Sequence, residues 1–291
     1  MKKLLVTGAS GFLGRHICSM ATMQWNVIGI VHSHPIKLPD VNIIRLDLTN
    51  YKELKKIFLD IVPDAVIHAA ASSKPDFCQI HQNESYKINV DASVNIAKLC
   101  AERNIPLVFT SSDFVFDGLN PPYTEKDPVC PINIYGEQKV NAEEKIIKNY
   151  PKAAICRMSF IFGLSEIDTS GFVLPLIKAM QEKKCIKLCK DEIRSPISVT
   201  SAVSGIFQIL EKAHGIIHLA GNESISKYNF GKLLAQIFQL HDAKIEPCTL
   251  NDLSAIANRP PDLTLENTKA IQSGFIPSSL KSELYAIKNI L

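Results

Sequence analysis

Three side chains of different chemistry, Ser112, Tyr135 and Lys139, stand close together in one stretch of the sequence. Tyr135 and Lys139 are four residues apart, one helical turn, so on a helix the phenol and the ammonium project from the same face. A cation beside a phenol favours the phenolate, so this spacing predicts a Tyr135 pKa below its usual value of about 10. A hydroxyl such as that of Ser112 can hold a carbonyl oxygen while a neighbouring phenol protonates it. That arrangement suits reduction of a ketone or oxidation of an alcohol.

The chemistry requires Ser112 at the end of a strand and Tyr135 at the start of a helix. The sequence supplies both. An apolar run, Ile105 to Thr110, ends at Ser111-Ser112 and reads as a buried strand. A loop rich in proline (Pro121, Pro122, Pro128, Pro131) follows, and the chain then opens a helix with Tyr135 and Lys139.

Upstream, the strand Lys2–Thr7 runs into Gly8-Ala9-Ser10-Gly11-Phe12-Leu13-Gly14 and a helix from about Phe12 to Met23. Glycines here allow a tight turn, close approach of backbone to a pyrophosphate, and close packing of helix on strand. The free N–H groups of the helix N-terminus would face the phosphates. Gly8, Ser10, Gly11, Phe12, Leu13 and Gly14 are therefore expected at a dinucleotide cofactor. The spacing is Gly-x-x-Gly-x-x-Gly rather than Gly-x-Gly-x-x-Gly. The second strand, Val27–Val31, ends in His32-Ser33-His34, with no acid to hold a ribose 2′-hydroxyl before Asp40. With Arg15 placed to meet a phosphate, this favours NADP(H), with NAD(H) as the alternative. His32, Asp47, Leu48 and the small residues Ala69, Ala70 and Ala71 complete the expected cofactor contacts, together with Tyr135 and Lys139. Asn89 is expected as a structural hydrogen-bonding residue on the long helix read over Glu84–Arg103.

The 291 residues are 46% hydrophobic and 21% charged, a globular composition with ample core material. A net charge of +3 is too small to argue for nucleic acid or a membrane surface as partner, and neither is expected. The opening Met1-Lys2-Lys3-Leu4-Leu5-Val6 resembles a secretory leader, but glycines interrupt it at once, and no run reaches the ~18 apolar residues of a membrane span. A cytoplasmic protein is expected. The 8 cysteines are scattered without metal-ligand spacing, so buried free thiols are expected rather than a metal site or a disulfide framework.

Strands alternate with helices to about Met158, which implies a parallel sheet covered on both faces, a Rossmann-type doubly wound α/β fold. Helices are expected at Phe172–Glu182, Thr200–Ala213, Lys227–Leu240 and Ser279–Ile290, short strand character at Ile186–Leu188, and a further main-sheet strand at Ile216–Leu219. The division expected is a dinucleotide-binding domain of residues 1–156 and about 197–220, with a smaller C-terminal substrate-binding α/β domain from about 157–196 and 221–291.

On these residues the chain resembles the extended short-chain dehydrogenase/reductases, and within them the dTDP-4-dehydrorhamnose reductases and the related regulatory β subunits of methionine adenosyltransferase. The resemblance is carried by Thr7–Gly14, Ser111-Ser112-Asp113-Phe114-Val115-Phe116-Asp117-Gly118, Pro122-Tyr123-x-Glu125-x-Asp127, Tyr135-Gly136-x-x-Lys139 and Arg259-Pro260. It implies catalytic roles for Ser112, for Tyr135 as proton donor and for Lys139 as supporting cation, a nucleotide-sugar substrate, and homodimers. Asp113, Val115, Phe116, Arg194 and Arg259 are the corresponding candidates for substrate contact. Asp191–Ile197 departs from the Gln-Xaa-Gly-Xaa-Pro-Thr-like segment of the reductases, sharing Pro196. Two other activities share the fold: an NADP-binding regulatory subunit, and a nucleotide-sugar epimerase or dehydratase.

Overall fold

Residues 1–33, 36–164, 171–210 and 212–291 are described by a computed structural model; His34 lies outside them. The centre is a seven-stranded sheet in which every neighbouring pair is parallel. Its spatial order is Gly215–Leu219, Ala154–Met158, Leu107–Ser112, Ala65–His68, Lys3–Thr7, Asn26–Val31, Val41–Arg45. The chain begins in the middle, at Lys3–Thr7, builds outward to Val41–Arg45, then restarts on the other side with Ala65–His68. The order therefore reverses between Lys3–Thr7 and Ala65–His68. Open α/β sheets bind ligands at such a switch point, beyond the carboxyl ends of the strands.

Alternation along the strands divides the core in two. Leu4 and Val6 face one side with Val27, packed against the helices Phe12–Ala21 and Val199–Leu210 through Ile17, Val203 and Ile206. Leu5 faces the other side with Ile28 and Val66, packed against Tyr51–Ile61, Ala92–Ala101 and Ile134–Asn149 through Phe58, Ile96 and Ile146. A strand buried on both faces has no polar alternation to show, which is why these segments read as continuous apolar runs.

A third apolar cluster lies outside this sheet. It joins Val173–Gln181, Lys227–Ile237 and Leu280–Lys288 through Leu176, Phe230, Leu234 and Leu284, with Leu188 from a parallel two-stranded sheet, Cys185–Cys189 with Lys244–Cys248. Lys244–Cys248 is not expected from its residues, since a run with Lys, Glu and Pro carries no apolar signal. The helix expected over Glu84–Arg103 is more broken than its pattern indicates. It starts at Gln82, passes through one π-helical turn at Lys87–Asp91, and continues as Ala92–Ala101. A separate helix, Pro75–Ile80, precedes it. All eight cysteines are free, but Cys130 and Cys185 are exposed, contrary to the expectation of burial throughout. Among the described residues no helix is long and apolar enough to cross a membrane.

Candidate active site

At the switch point the structure opens a cleft of about 1510 Å³, lined from the glycine turn through Ala69–Ala71 to Ser112, Tyr135 and Lys139. Ligand pockets for one small molecule run to about 1,000 Å³, so this cleft has room for a dinucleotide and a second ligand together.

The glycine turn forms its first wall. Gly8 has φ 72°, and an added Cβ would lie 2.7 Å from the Ala70 backbone nitrogen. A Cβ on Gly14 would stand 2.1 Å from the Gly8 carbonyl oxygen. Both positions thus need glycine, one for its conformation and one for close packing. The helix Phe12–Ala21 begins without a side-chain cap and without an acidic residue in its first turn, so its N–H groups and positive dipole end are open to an anion. Such a cradle fits a dinucleotide pyrophosphate. Ser10, Gly11, Phe12, Leu13, His32, Asp47, Leu48 and Ala69–Ala71 all line the cleft. Arg15 does not. Its Nε donates to the Ser10 carbonyl at 2.9 Å, and its Nη1 is buried with no hydrogen-bond partner among the described residues. Arg45 was not anticipated; its Nε donates to the His32 carbonyl at 3.0 Å, at the end of the second strand.

The second wall carries the three reactive groups. Asn133 caps the helix Ile134–Asn149 by accepting a hydrogen bond from the Gly136 amide at 2.9 Å, and donates to the Asn258 carbonyl at 2.8 Å. This places Tyr135 in the first turn and Lys139 one turn on. The Ser112 hydroxyl donates to Asp113 at 3.1 Å, accepts from the Phe114 amide at 3.3 Å, and lines the cleft with the Tyr135 phenol. Lys139 donates to the Thr110 carbonyl at 2.9 Å, with its Nζ 5.8 Å from the Tyr135 ring centroid. The structure brings all three together.

Their electrostatics differ from the sequence expectation. Burial pushes the Tyr135 phenol above its ordinary pKa, the Ser112 hydrogen bond opposes this, and Asp113 and Cys78 add to it. Burial likewise lowers Lys139 to about 8, opposed by Glu143 and Cys78. The expectation of a depressed phenol pKa is thus corrected: desolvation sets the sign. Asp113 is raised to about 6 by burial, against the pull of Arg194 and hydrogen bonds from Ser112 and Ser159.

The remaining candidates separate. Asp113, Arg194 and Arg259 line the cleft. Arg194 is held by the protein on every side: it donates to the Ile193, Pro260 and Pro261 carbonyls and to Glu192, with its Nε 3.8 Å from Asp113. Arg259 pairs with Asp76 at 3.0 Å. Val115 and Phe116 are not in the cleft. They are fully buried with Tyr123, Leu263 and Leu265 in a separate apolar cluster, where Phe116 stacks on Tyr123. Their apolar character is that of core rather than of a ligand surface. Sequence reasoning overlooked Glu192 and Lys227, which face the cleft and pair with each other at 2.8 Å. Asn89 lies at the π-helical turn, where its side chain accepts from the Ser72 amide and donates to the Ser72 carbonyl and to Gln138.

A phosphate-accepting turn at a Rossmann-type switch point, facing a serine, a tyrosine and a lysine, defines the dinucleotide-dependent short-chain dehydrogenase/reductase class. The RmlD substrate binding domain family matches residues 1–289, and the chain belongs to it. It is 30% identical over 275 residues to "Methionine adenosyltransferase 2 subunit beta" of Bos taurus, covering 91% of this chain and 80% of that protein. It is 28% identical to a dTDP-4-dehydrorhamnose reductase of Aggregatibacter actinomycetemcomitans, covering 100% of this chain and 98% of that one. Among solved structures, it resembles a dTDP-4-dehydrorhamnose reductase of Bacillus anthracis in complex with NADP, with TM-score 0.86, 25% identity and 100% of both chains covered.

Proposed function

We propose that this protein is an NADP(H)-dependent reductase of a nucleotide 4-keto-6-deoxy sugar. The observation that carries the reading is the convergence of Ser112, Tyr135 and Lys139 on one cleft that also opens at the glycine turn, with the Lys139 amine 5.8 Å from the Tyr135 ring centroid. A bound nicotinamide supplies or takes the hydride. Gly8, Ser10–Gly14 and Ala69–Ala71 hold the cofactor along the switch point, and Lys139 holds its ribose. Ser112 holds the sugar carbonyl oxygen. Tyr135, kept neutral by burial, gives that oxygen its proton, and Lys139 stabilises the phenolate left behind. Positioned acid catalysis of this kind contributes ~10²–10⁴-fold. Asp113, beside Ser112 and Arg194, borders the sugar pocket. The absence of an acid at positions 31–33 and the presence of Arg45 favour a cofactor carrying a 2′-phosphate, with NAD(H) as the alternative.

The test is NADPH oxidation with a dTDP-4-keto-6-deoxyhexose, followed at the nicotinamide absorbance in the parent and in Tyr135→Phe. Turnover by the parent and its loss in the variant are expected. No turnover across a panel of nucleotide 4-keto sugars overturns the reading. A second reading, an NADP-binding regulatory subunit, is favoured by the 30% identity to the Bos taurus subunit. Co-purification of a methionine adenosyltransferase catalytic subunit, with cofactor binding but no sugar turnover, would select it.

A further inference from the structure

One helical turn beyond Lys139, on the same helix face, Glu143 is buried at 2% exposure. Its carboxylate accepts the Ser111 hydroxyl in a short hydrogen bond and receives a forked pair from Arg157, Nη2 at 2.7 Å and Nε at 3.1 Å. Ser111 and Arg157 are register partners on the adjacent strands Leu107–Ser112 and Ala154–Met158. A single carboxylate thus ties together the helix that carries Tyr135 and Lys139, the strand that ends in Ser112, and the next strand.

Burying an ion pair is a poor way to gain stability, because desolvating two charges offsets most of their attraction. This pair is also imperfect, since Arg157 Nη1 is buried without a hydrogen-bond partner among the described residues. Its position beside the reactive groups accounts for it better than stability does. The titratable groups facing Lys139 are Tyr135 and Glu143 on its own helix, Cys78 on Pro75–Ile80 and His68 on Ala65–His68. His68 is held neutral by burial, with its pKa lowered to about 3. Burial drives Lys139 toward the neutral amine, and Glu143 is the strongest influence opposing it.

We propose that Glu143 is a positioning residue of this site: its buried carboxylate sets a negative charge one helical turn from Lys139 and, through Ser111 and Arg157, fixes the strand end that presents Ser112 to Tyr135. The inference rests on the reading of Ser112, Tyr135 and Lys139 as the reacting groups. It also accounts for a buried ion pair that does not line the cleft.

The test follows the titration of Lys139 directly, by NMR of the protein carrying ¹³C-labelled lysine across a pH series, its signal assigned by its loss in Lys139→Met. The parent midpoint is expected near 8. In Glu143→Gln, which keeps the shape and removes the charge, it should move to acid by roughly one pH unit or more. Glu143→Asp, which keeps the charge, should remain near the parent. Because Glu143→Gln strands a buried guanidinium, Glu143→Gln/Arg157→Met is run beside it, and an acid shift is expected there too. An unmoved Lys139 midpoint in a folded variant, accompanied only by a lower Tm, makes the ion pair purely structural and overturns the proposal. The titration needs neither cofactor nor sugar. Absence of sugar turnover, which would sink the reductase reading, therefore leaves this result readable.

Discussion

Gly136 lies against Phe114 so closely that a Cβ on the glycine would stand 2.2 Å from the Phe114 carbonyl oxygen. The helix that carries Tyr135 is thereby seated directly on the turn that follows Ser112, and the distance between hydroxyl and phenol is set by backbone packing. Gly136→Ala forces these two elements apart. The expected cost is about 1–3 kcal/mol of stability, measured by urea unfolding. Activity should fall by more than the folded fraction accounts for, ~10²-fold in kcat for a displacement near 1 Å. Unchanged kcat in the folded variant would show that the contact does not set the catalytic geometry.

Tyr135 and Lys139 should fail in different ways. On the proposed reading Tyr135→Phe removes the proton donor but keeps the ring and the Lys139 cation, so kcat should drop ~10²–10⁴-fold with a smaller change in NADPH affinity. Lys139→Met removes a buried cation that faces the phenol and, on the proposed reading, the cofactor ribose, so NADPH affinity and kcat should fall together. Nicotinamide fluorescence titration, alongside steady-state rates, separates the two. Equal effects of both substitutions on affinity would contradict the assigned roles.

Asp113 gives the site a pH signature. Its pKa rises from 3.8 to about 6, chiefly through burial, so the folded state binds its proton more tightly than the unfolded chain does. Linkage then requires stability to fall as pH rises through that interval, because the native protein must lose a proton it holds well. Asp113→Asn removes this dependence. Relative to the parent, the variant should be more favourable at pH 7 than at pH 5 by about 1 kcal/mol, read from urea unfolding at the two values. A difference that stays constant with pH would mean that Arg194 holds Asp113 charged throughout.

Much of this architecture is legible in the residues. Apolar runs ending at Thr7, His68 and Ser112 mark strand ends, and the cleft forms where those ends meet. The spacing of Tyr135 and Lys139 specifies a shared face because helix geometry is local. What the sequence hides depends on depth and on partners distant in the chain. The phenol beside Lys139 promised a lowered pKa, yet burial reversed the sign, and burial at a given atom is a property of the whole fold. Val115 and Phe116 belong to the same motif as Ser112 but point into another cluster, since a short 3₁₀ turn at Asp113–Val115 redirects the chain. Glu192 and Lys227 meet through a two-stranded antiparallel pairing, Ile193–Arg194 with Ile225–Ser226, too short to leave a periodic pattern.

On the proposed reading cofactor choice lies at the end of the strand Asn26–Val31, where His32 is exposed at the cleft and its carbonyl receives Arg45. A carboxylate at this point would accept hydrogen bonds from a ribose diol and repel a 2′-phosphate. His32→Asp should therefore raise KM for NADPH and lower it for NADH. The ratio of the two kcat/KM values should move toward NADH by about 10–100-fold, the effect of 1.4–2.8 kcal/mol. On the proposed reading the exposed Arg45 guanidinium serves the 2′-phosphate, so Arg45→Ala should weaken NADPH more than NADH. Added salt screens exposed charge pairs, so the parent's preference for NADPH should narrow as ionic strength rises, and that of His32→Asp should change less. Steady-state rates with both cofactors at low and high salt make the comparison. A parent that uses NADH and NADPH equally well at low salt would place cofactor selection elsewhere in the cleft.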